Sequence, residues 1–301
     1  MKDKNQSKRK FDRLFIGIAI VFFVIGSGVF FYPVVSNYLA QKSQTQVVQN
    51  YQDALEEISQ EELQEQWDKA IEYNENLNGD PVHDPFIPGS GYVLPQNYEE
   101  VLNVDGVMCY LEIPKISLKL PVYHGTSEEV LEKGIGHLES TSLPIGGKSR
   151  YSVLTGHRGL PSAELFTRLD ELEVGDYFFI HVLDKTLTYQ VDQIEVIEPD
   201  QLEKLTVVPG EDLVTLLTCT PYGVNSHRLL VRGVRAADIA PEETEGDSGI
   251  RLLSQIERWR PEQIAIVVGV FLVFLVLIVL GLTQSRRKKR EKRKAEAKEE
   301  K

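Results

Sequence analysis

A mainly β fold closed into a barrel, carried on a helical stalk and held between two transmembrane helices, is what the sequence predicts for this 301-residue chain. Three observations carry that expectation. Short segments rich in β-branched and aromatic residues, punctuated by turns, follow one another from Val107 to Arg235 with few helical stretches between them. Two uncharged apolar runs, 14–35 and 264–282, bracket this region, and each is long enough to cross a hydrocarbon layer as a helix. Basic residues sit on the outer side of both runs, which by the positive-inside rule places both termini in the cytoplasm and the segment between them outside.

Taken in order, residues 1–13 form a basic cytoplasmic tail and 14–35 a transmembrane helix, either a signal-anchor or a cleaved signal peptide. Residues 36–78 read as an extracytoplasmic helical stalk, because Val47, Val48, Tyr51, Leu55, Ile58, Leu63, Trp67, Ala70 and Ile71 roughly follow a helical period over 41–77. The cluster Asn78-Gly79-Asp80-Pro81 breaks it. Residues 79–95 hold four prolines and several glycines around His83, Asp84, Phe86 and Tyr92, and read as an ordered loop. The barrel occupies 96–235, with strands expected at 107–113, 116–122, 151–155, 177–182, 186–197, 213–218 and 229–234. Short helices are expected at 128–133 and 163–169. Closure into a barrel removes the exposed edges that so many short strands would otherwise leave. An acidic linker follows over 236–262, then the second span over 263–283 and a basic cytoplasmic tail over 284–301.

The net charge of −12 conceals a strong asymmetry. Residues 1–13 hold six basic and two acidic side chains, and 284–301 hold ten and four, so the segment between the tails carries −22. So acidic a domain cannot neutralise phosphates, which excludes nucleic acid as its partner. The two cysteines, Cys109 and Cys219, lie in the part expected outside the reducing cytosol, where pairing is the ordinary outcome. Their settings differ too much for that reading. Cys109 lies in the apolar run Val107-Met108-Cys109-Tyr110-Leu111 as a small buried hydrophobe, whereas Cys219 lies between Thr218 and Thr220 at the end of an apolar segment.

Cys219 is the candidate nucleophile. A free thiol is mostly protonated at neutral pH and needs help from its surroundings. The string 213–218 is followed by Cys219 and a turn containing Pro221, Gly223 and Asn225, and 229–234 follows. Two strands so joined run antiparallel side by side, which makes Arg228 a neighbour of Cys219. An Arg there can lower the thiol pKa and donate to an oxyanion. Among six histidines, His83, His124, His137, His157, His181 and His227, the acid/base candidate is His157. It follows the expected strand 151–155 in a turn made by Gly156, Arg158 and Gly159, while His227 points away from Arg228's face.

These strings resemble a known family. Thr215-Leu216-Leu217-Thr218-Cys219 is similar to the T-L-x-T-C element of sortases, the surface transpeptidases of Gram-positive bacteria. The stretch from Thr218 through Arg228 to Gly233, and Leu154-Thr155-Gly156-His157-Arg158-Gly159, resemble class C, the pilin-polymerising sortases. The resemblance covers roughly 84–235. It implies that Cys219 attacks the Thr-Gly bond of an LPxTG-like sorting signal and holds the threonine as a thioacyl intermediate, which the lysine amine of another pilin subunit resolves. It further implies that His157 protonates the departing glycine amine and later deprotonates the lysine, that Arg228 stabilises the oxyanion, and that no metal, nucleotide or organic cofactor takes part. Asp84-Pro85-Phe86 resembles the class C lid, which implies that Asp84 pairs with Arg228 and Phe86 covers Cys219. Peptidoglycan precursor is a further possible partner.

Three other readings compete. A papain-like hydrolase would place its cysteine at a helix start, whereas Cys219 ends a β-rich segment. A wall-anchored structural protein would need an LPxTG-like pentapeptide before the second apolar run, where Arg258-Trp259-Arg260-Pro261-Glu262 stands instead. Inside the family, the alternative is a housekeeping-type sortase that anchors surface proteins to peptidoglycan.

Overall fold

The computed structural model describes residues 2–77, 84–87, 97–239 and Gly269. Contacts divide the chain into two units, Met1–Phe31 with Gly246–Lys301, and Tyr32–Glu245. The first helix, α1 (Lys2–Glu57), contributes to both. In the first unit its side chains Val21, Phe22, Val24, Ile25 and Val29 are all more than half exposed. An apolar helix surface this exposed is what lipid accommodates, and Ile20–Glu57 contains a window of mean hydropathy 1.8, long and apolar enough to cross a membrane. The second expected span, the acidic linker beyond 239 and most of the expected loop 79–95 lie outside the described residues.

In the second unit α1 is held to the barrel by polar contacts at intervals along one face. Ser36 Oγ donates to Pro161 O at 2.9 Å, Gln44 Nε2 to Lys133 O at 3.3 Å, and the buried Tyr51 hydroxyl accepts from Leu183 N at 2.9 Å. The single stalk helix expected over 41–77 is two helices. α1 stops at Glu57, and Ser59 opens α2 (Gln60–Asn76) by accepting from Glu62 N while Glu62 reaches back to Ser59 N. This reciprocal pair satisfies donors that a new helix leaves open, so the chain restarts at Ser59.

At its far end α2 is fastened by a side chain acting as a piece of backbone. Buried Asn74 donates through Nδ2 to Leu143 O at 3.2 Å and accepts from Leu143 N at 2.7 Å. Arg150 Nη1 caps the same turn by donating to Asn74 O at 2.6 Å.

Eight strands follow: β1 (Cys109–Ile113), β2 (Leu118–His124), β3 (Ile135–His137), β4 (Arg150–Thr155), β5 (Tyr177–Val182), β6 (Lys185–Ile197), β7 (Asp212–Thr220) and β8 (His227–Arg235). They close in the order β1-β2-β3-β4-β7-β8-β6-β5. Seven match the expected segments within a few residues. β3 is the exception, being three residues long with a glycine at its centre. Gly136 is required there, since a Cβ would lie 2.4 Å from Gly125 O. The short helix α3 (Glu128–Lys133) precedes β3, and the piece expected at 163–169 is the 3₁₀ segment Leu165–Glu171. Cys109 is fully buried and unpaired, and burial pushes its thiol far up, as its apolar run implied.

Alternation along the strands sends one set of side chains into the barrel and the other to an outer face. On β4, Leu154 joins the main core while Tyr151 and Val153 join a second cluster. On β7, Val214 and Leu216 point inward, whereas Leu213 and Leu217 point to that second cluster, as does Leu230 of β8. Leu202 and Leu205, from the connection between β6 and β7, roof it. Replacing Asn74 by Ala leaves the Leu143 amide and carbonyl unpaired in a buried place, and is expected to destabilise the fold by about 2 kcal/mol. Thermal unfolding of the variant checks this; an unchanged midpoint would mean the α2 contact contributes nothing.

Candidate active site

Cys219 has the same parity along β7 as Leu213 and Leu217, and Arg228 the same parity along β8 as Leu230, so both face the second cluster. The antiparallel ladder pairs Cys219 directly with Arg228. The turn expected from Pro221, Gly223 and Asn225 therefore does set them side by side, with Asn225 in the left-handed region at φ 58°. His227 pairs with Thr220 and faces the other way, as alternation requires.

His157 arrives by a different route. β4 runs parallel to β7 with Thr155 opposite Leu217, and Gly156 N continues the ladder to Leu217 O at 3.2 Å. Two residues further on, His157 is level with Cys219 and shares the parity of Tyr151 and Val153. Thr218 Oγ1 donates to Gly156 O at 2.7 Å and Phe166 N to His157 O at 3.0 Å, which fixes the backbone on both sides of the ring. Gly156 must be glycine, since a Cβ would lie 2.6 Å from Ile135 Cδ1. His157 just past the end of β4, Cys219 on β7 and Arg228 on β8 thus stand at three neighbouring positions on one face.

Asp84–Ile87 lies across that row. Asp84 at the first position and Pro85 at the second favour a type I turn, closed here by Ile87 N donating to Asp84 O at 3.2 Å. Asp84 Oδ1 accepts from Phe86 N at 2.9 Å, which orients the ring. Asp84 Oδ2 accepts from Arg228 Nε at 2.9 Å and Nη2 at 2.7 Å, in a pair whose side chains are only 3 % and 5 % exposed. Arg228 Nη1 donates to Asn225 O and His227 O at 3.2 and 3.0 Å. The Phe86 ring centroid is 5.5 Å from that of His157 and 5.2 Å from the Arg228 guanidinium carbon. Reaching both flanks of Cys219 at once, Phe86 spans the strand that carries it.

The electrostatics follow from this cover. Burial pushes the Cys219 thiol up, Arg228 pulls it down, and Asp84 pushes it up again, with a net rise. Burial also lowers His157, against the upward pull of Glu132 and Glu128. Both shifts disfavour the charged form, of the thiol and of the imidazole alike.

Three of the other described histidines, His137, His124 and His181, are tied into the fold away from Cys219. His137 is fully buried and lowered to about 3 by burial, with Tyr98 Oη 2.8 Å from its Nδ1. His124 contacts Val101 O at 2.7 Å, and His181 stacks on Tyr110 at 4.2 Å while touching Glu112. His83 lies outside the described residues. Sequence reasoning missed the apolar roof of Leu202 and Leu205, and it gave Arg158 no role. The only signal for Arg158 was its place next to His157.

Comparison with known proteins now bears on the class. A Sortase domain profile matches residues 111–236. The crystal structure of Streptococcus pneumoniae Sortase C is 45 % identical with a TM-score of 0.61, covering 65 % of this chain and 100 % of that one. Sortase C1 of GBS Pilus Island 1 is 44 % identical at a TM-score of 0.61, covering 69 % and 98 %. Sortase D of Bacillus subtilis is 32 % identical over 128 residues, 42 % of this chain and 62 % of that protein. A closed eight-stranded barrel with a cysteine and an arginine paired across adjacent strands is the architecture of a transpeptidase class, and the chain belongs to the sortase family. Both solved structures are of the C class of sortases.

Removing the cover reverses both shifts. In Phe86→Ala the thiol is less buried, so its pKa falls, and that of His157 rises toward its ordinary value. A pH profile of Cys219 alkylation by iodoacetamide should then move to lower pH, with faster reaction at pH 7.5. A profile that coincides with wild type would show that Phe86 does not shield the thiol.

Proposed function

We propose that this protein is a membrane-anchored pilin-polymerising transpeptidase, with Cys219 as nucleophile, His157 as general acid and base, and Arg228 as oxyanion donor. One observation carries the reading: three residue types suited to acyl transfer stand in a row on adjacent strands, and an aspartate and an aromatic ring occupy that row from outside.

The steps follow from the chemistry of the three side chains. His157 takes the proton of the Cys219 thiol and becomes imidazolium; the resulting thiolate adds to the threonine carbonyl of an LPxTG-like signal, and the new oxyanion takes hydrogen bonds from the planar Arg228 fork. Collapse breaks the Thr-Gly bond, and His157 as imidazolium gives its proton to the leaving glycine amine. A thioester between Cys219 and threonine remains. A pilin lysine amine then attacks it while the neutral His157 takes the amine's proton, and the thiolate leaves as an isopeptide bond forms. One amide replaces another, so no external energy source is needed.

The same reading assigns Asp84 and Phe86 as a lid. With Asp84 on Nε and Nη2, the part of the guanidinium that would meet an oxyanion is taken, so the lid must leave before acyl transfer. The protein would lie in the cell membrane with its catalytic domain extracytoplasmic, anchored through 14–35 and 263–283 with both termini cytoplasmic. Peptidoglycan precursor is the alternative acceptor.

Full-length protein in detergent, incubated with a pilin backbone subunit bearing an LPxTG-like signal, should give a covalent ladder of multimers that Cys219→Ala abolishes. Transfer of monomers only to a wall precursor would place the enzyme with the housekeeping type instead. Arg228→Lys keeps the charge but loses the fork, and turnover is expected to drop about 10²-fold. Near-normal turnover in that variant would remove Arg228 from the oxyanion role.

A further inference from the structure

Beside the row of three stands a buried arginine that the chemistry above does not use. The Arg158 side chain is only 8 % exposed. Its Nη1 donates to Thr220 Oγ1 at 3.0 Å, its Nη2 pairs with Asp170 on the 3₁₀ segment Leu165–Glu171, and its Nε is buried with no hydrogen-bond partner among the described residues. Burying a guanidinium with one N–H unsatisfied costs stability. An arginine needed only for solubility would extend into water, where all its donors are satisfied.

The position of its contacts is informative. Arg158 directly follows His157, and Thr220 directly follows Cys219. The β4–β7 ladder that aligns those two residues ends at Thr155 and Leu217, with one more bond at Gly156, so neither functional residue is itself held by a backbone bond between the two strands. Two side-chain bonds carry the alignment further, Thr218 Oγ1 to Gly156 O just before the functional pair and Arg158 to Thr220 just after it, and the second is the one that closes the far side. Asp170 holds the outer end of the guanidinium, and Gly159 N donates to Thr167 Oγ1 at 3.1 Å, so the same 3₁₀ segment backs the turn on its other side. Arg158 is absent from the charges that shift Cys219, which are those of Arg228 and Asp84. Its influence there is geometric.

We infer that Arg158 is a positioning residue that sets the reach of the His157 ring to the Cys219 sulfur and to the leaving amine, by clamping the residue after each to the other. The inference rests on the roles given to Cys219 and His157 in the proposed function. Proton transfer to the leaving group needs hydrogen-bond reach, and a misplacement of about 1 Å can cost ~10²-fold in rate without changing how substrate binds.

Thr220→Val gives the cleanest test, because it keeps the shape of the side chain and replaces the hydroxyl that accepts from Arg158 with a methyl group. In full-length protein acting on an LPxTG peptide with an added amine, kcat is expected to fall about 10–100-fold while KM stays within about twofold of wild type. Thr220→Ser, which keeps the hydroxyl, should retain wild-type kcat. Asp170→Asn should lower kcat in the same direction, with the thermal midpoint following that of Thr220→Ser. Unchanged kcat in Thr220→Val overturns the inference. So does a loss confined to KM, which would make Thr220 a substrate contact, or an equal loss in Thr220→Ser, which would make the effect one of folding. Cys219→Ala and His157→Ala run alongside: if either retains activity the underlying roles fail, whereas if both are inactive and Thr220→Val is not impaired, only the role of Arg158 fails.

Discussion

The arrangement depends on the parallel pairing of β4 with β7. Among the strands at the site the other neighbour relation is local: β8 returns beside β7 through a short turn, while β4 is brought to β7's other edge from 62 residues away. Because side chains alternate with period two, a slip of one residue in that pairing would turn His157 to the barrel interior and leave Cys219 with Arg228 alone. The register is protected by burial on both faces. Leu154 and Leu216 pack inward, Val153 and Leu217 pack outward, and each strand therefore loses apolar contacts in any other alignment.

The outer cluster explains why the site is both reactive in composition and quiet in the resting state. On a surface that is already apolar, with Leu202, Leu205 and Phe86 in the same cluster, burial raises the pKa of the Cys219 thiol. The Asp84–Arg228 pair serves the same end. A buried ion pair contributes little net stability because desolvating both charges offsets most of their attraction.

Much of this was legible in the residues. The hairpin from Cys219 to Arg228 is announced by Pro221, Gly223 and Asn225, and the chain has little choice once those residues sit between two apolar strands. Seven strands showed themselves as short segments rich in β-branched and aromatic residues between turn signals. β3 did not, because three residues around a glycine carry no period. The break of the stalk at Ser59 did have a signal, the spacing of Ser59 and Glu62, but the apolar period continues across it and masks the restart.

By itself the sequence determined the contacts that local chemistry enforces: an apolar helix near the N-terminus, the strand-turn-strand unit bearing Cys219 and Arg228, and the Asp84-Pro85-Phe86 turn. Only the tertiary structure decided which face that turn would cover, that Asp84 would reach an arginine 144 residues away, and that Arg158 would brace Thr220. It also decided why His157 and no other described histidine stands at the cysteine. The physical reason is the same in each case. A tight turn fixes its neighbours through backbone torsions that single residues dictate, whereas parallel strands and docked loops are selected by the burial of whole faces, which no short stretch of sequence encodes.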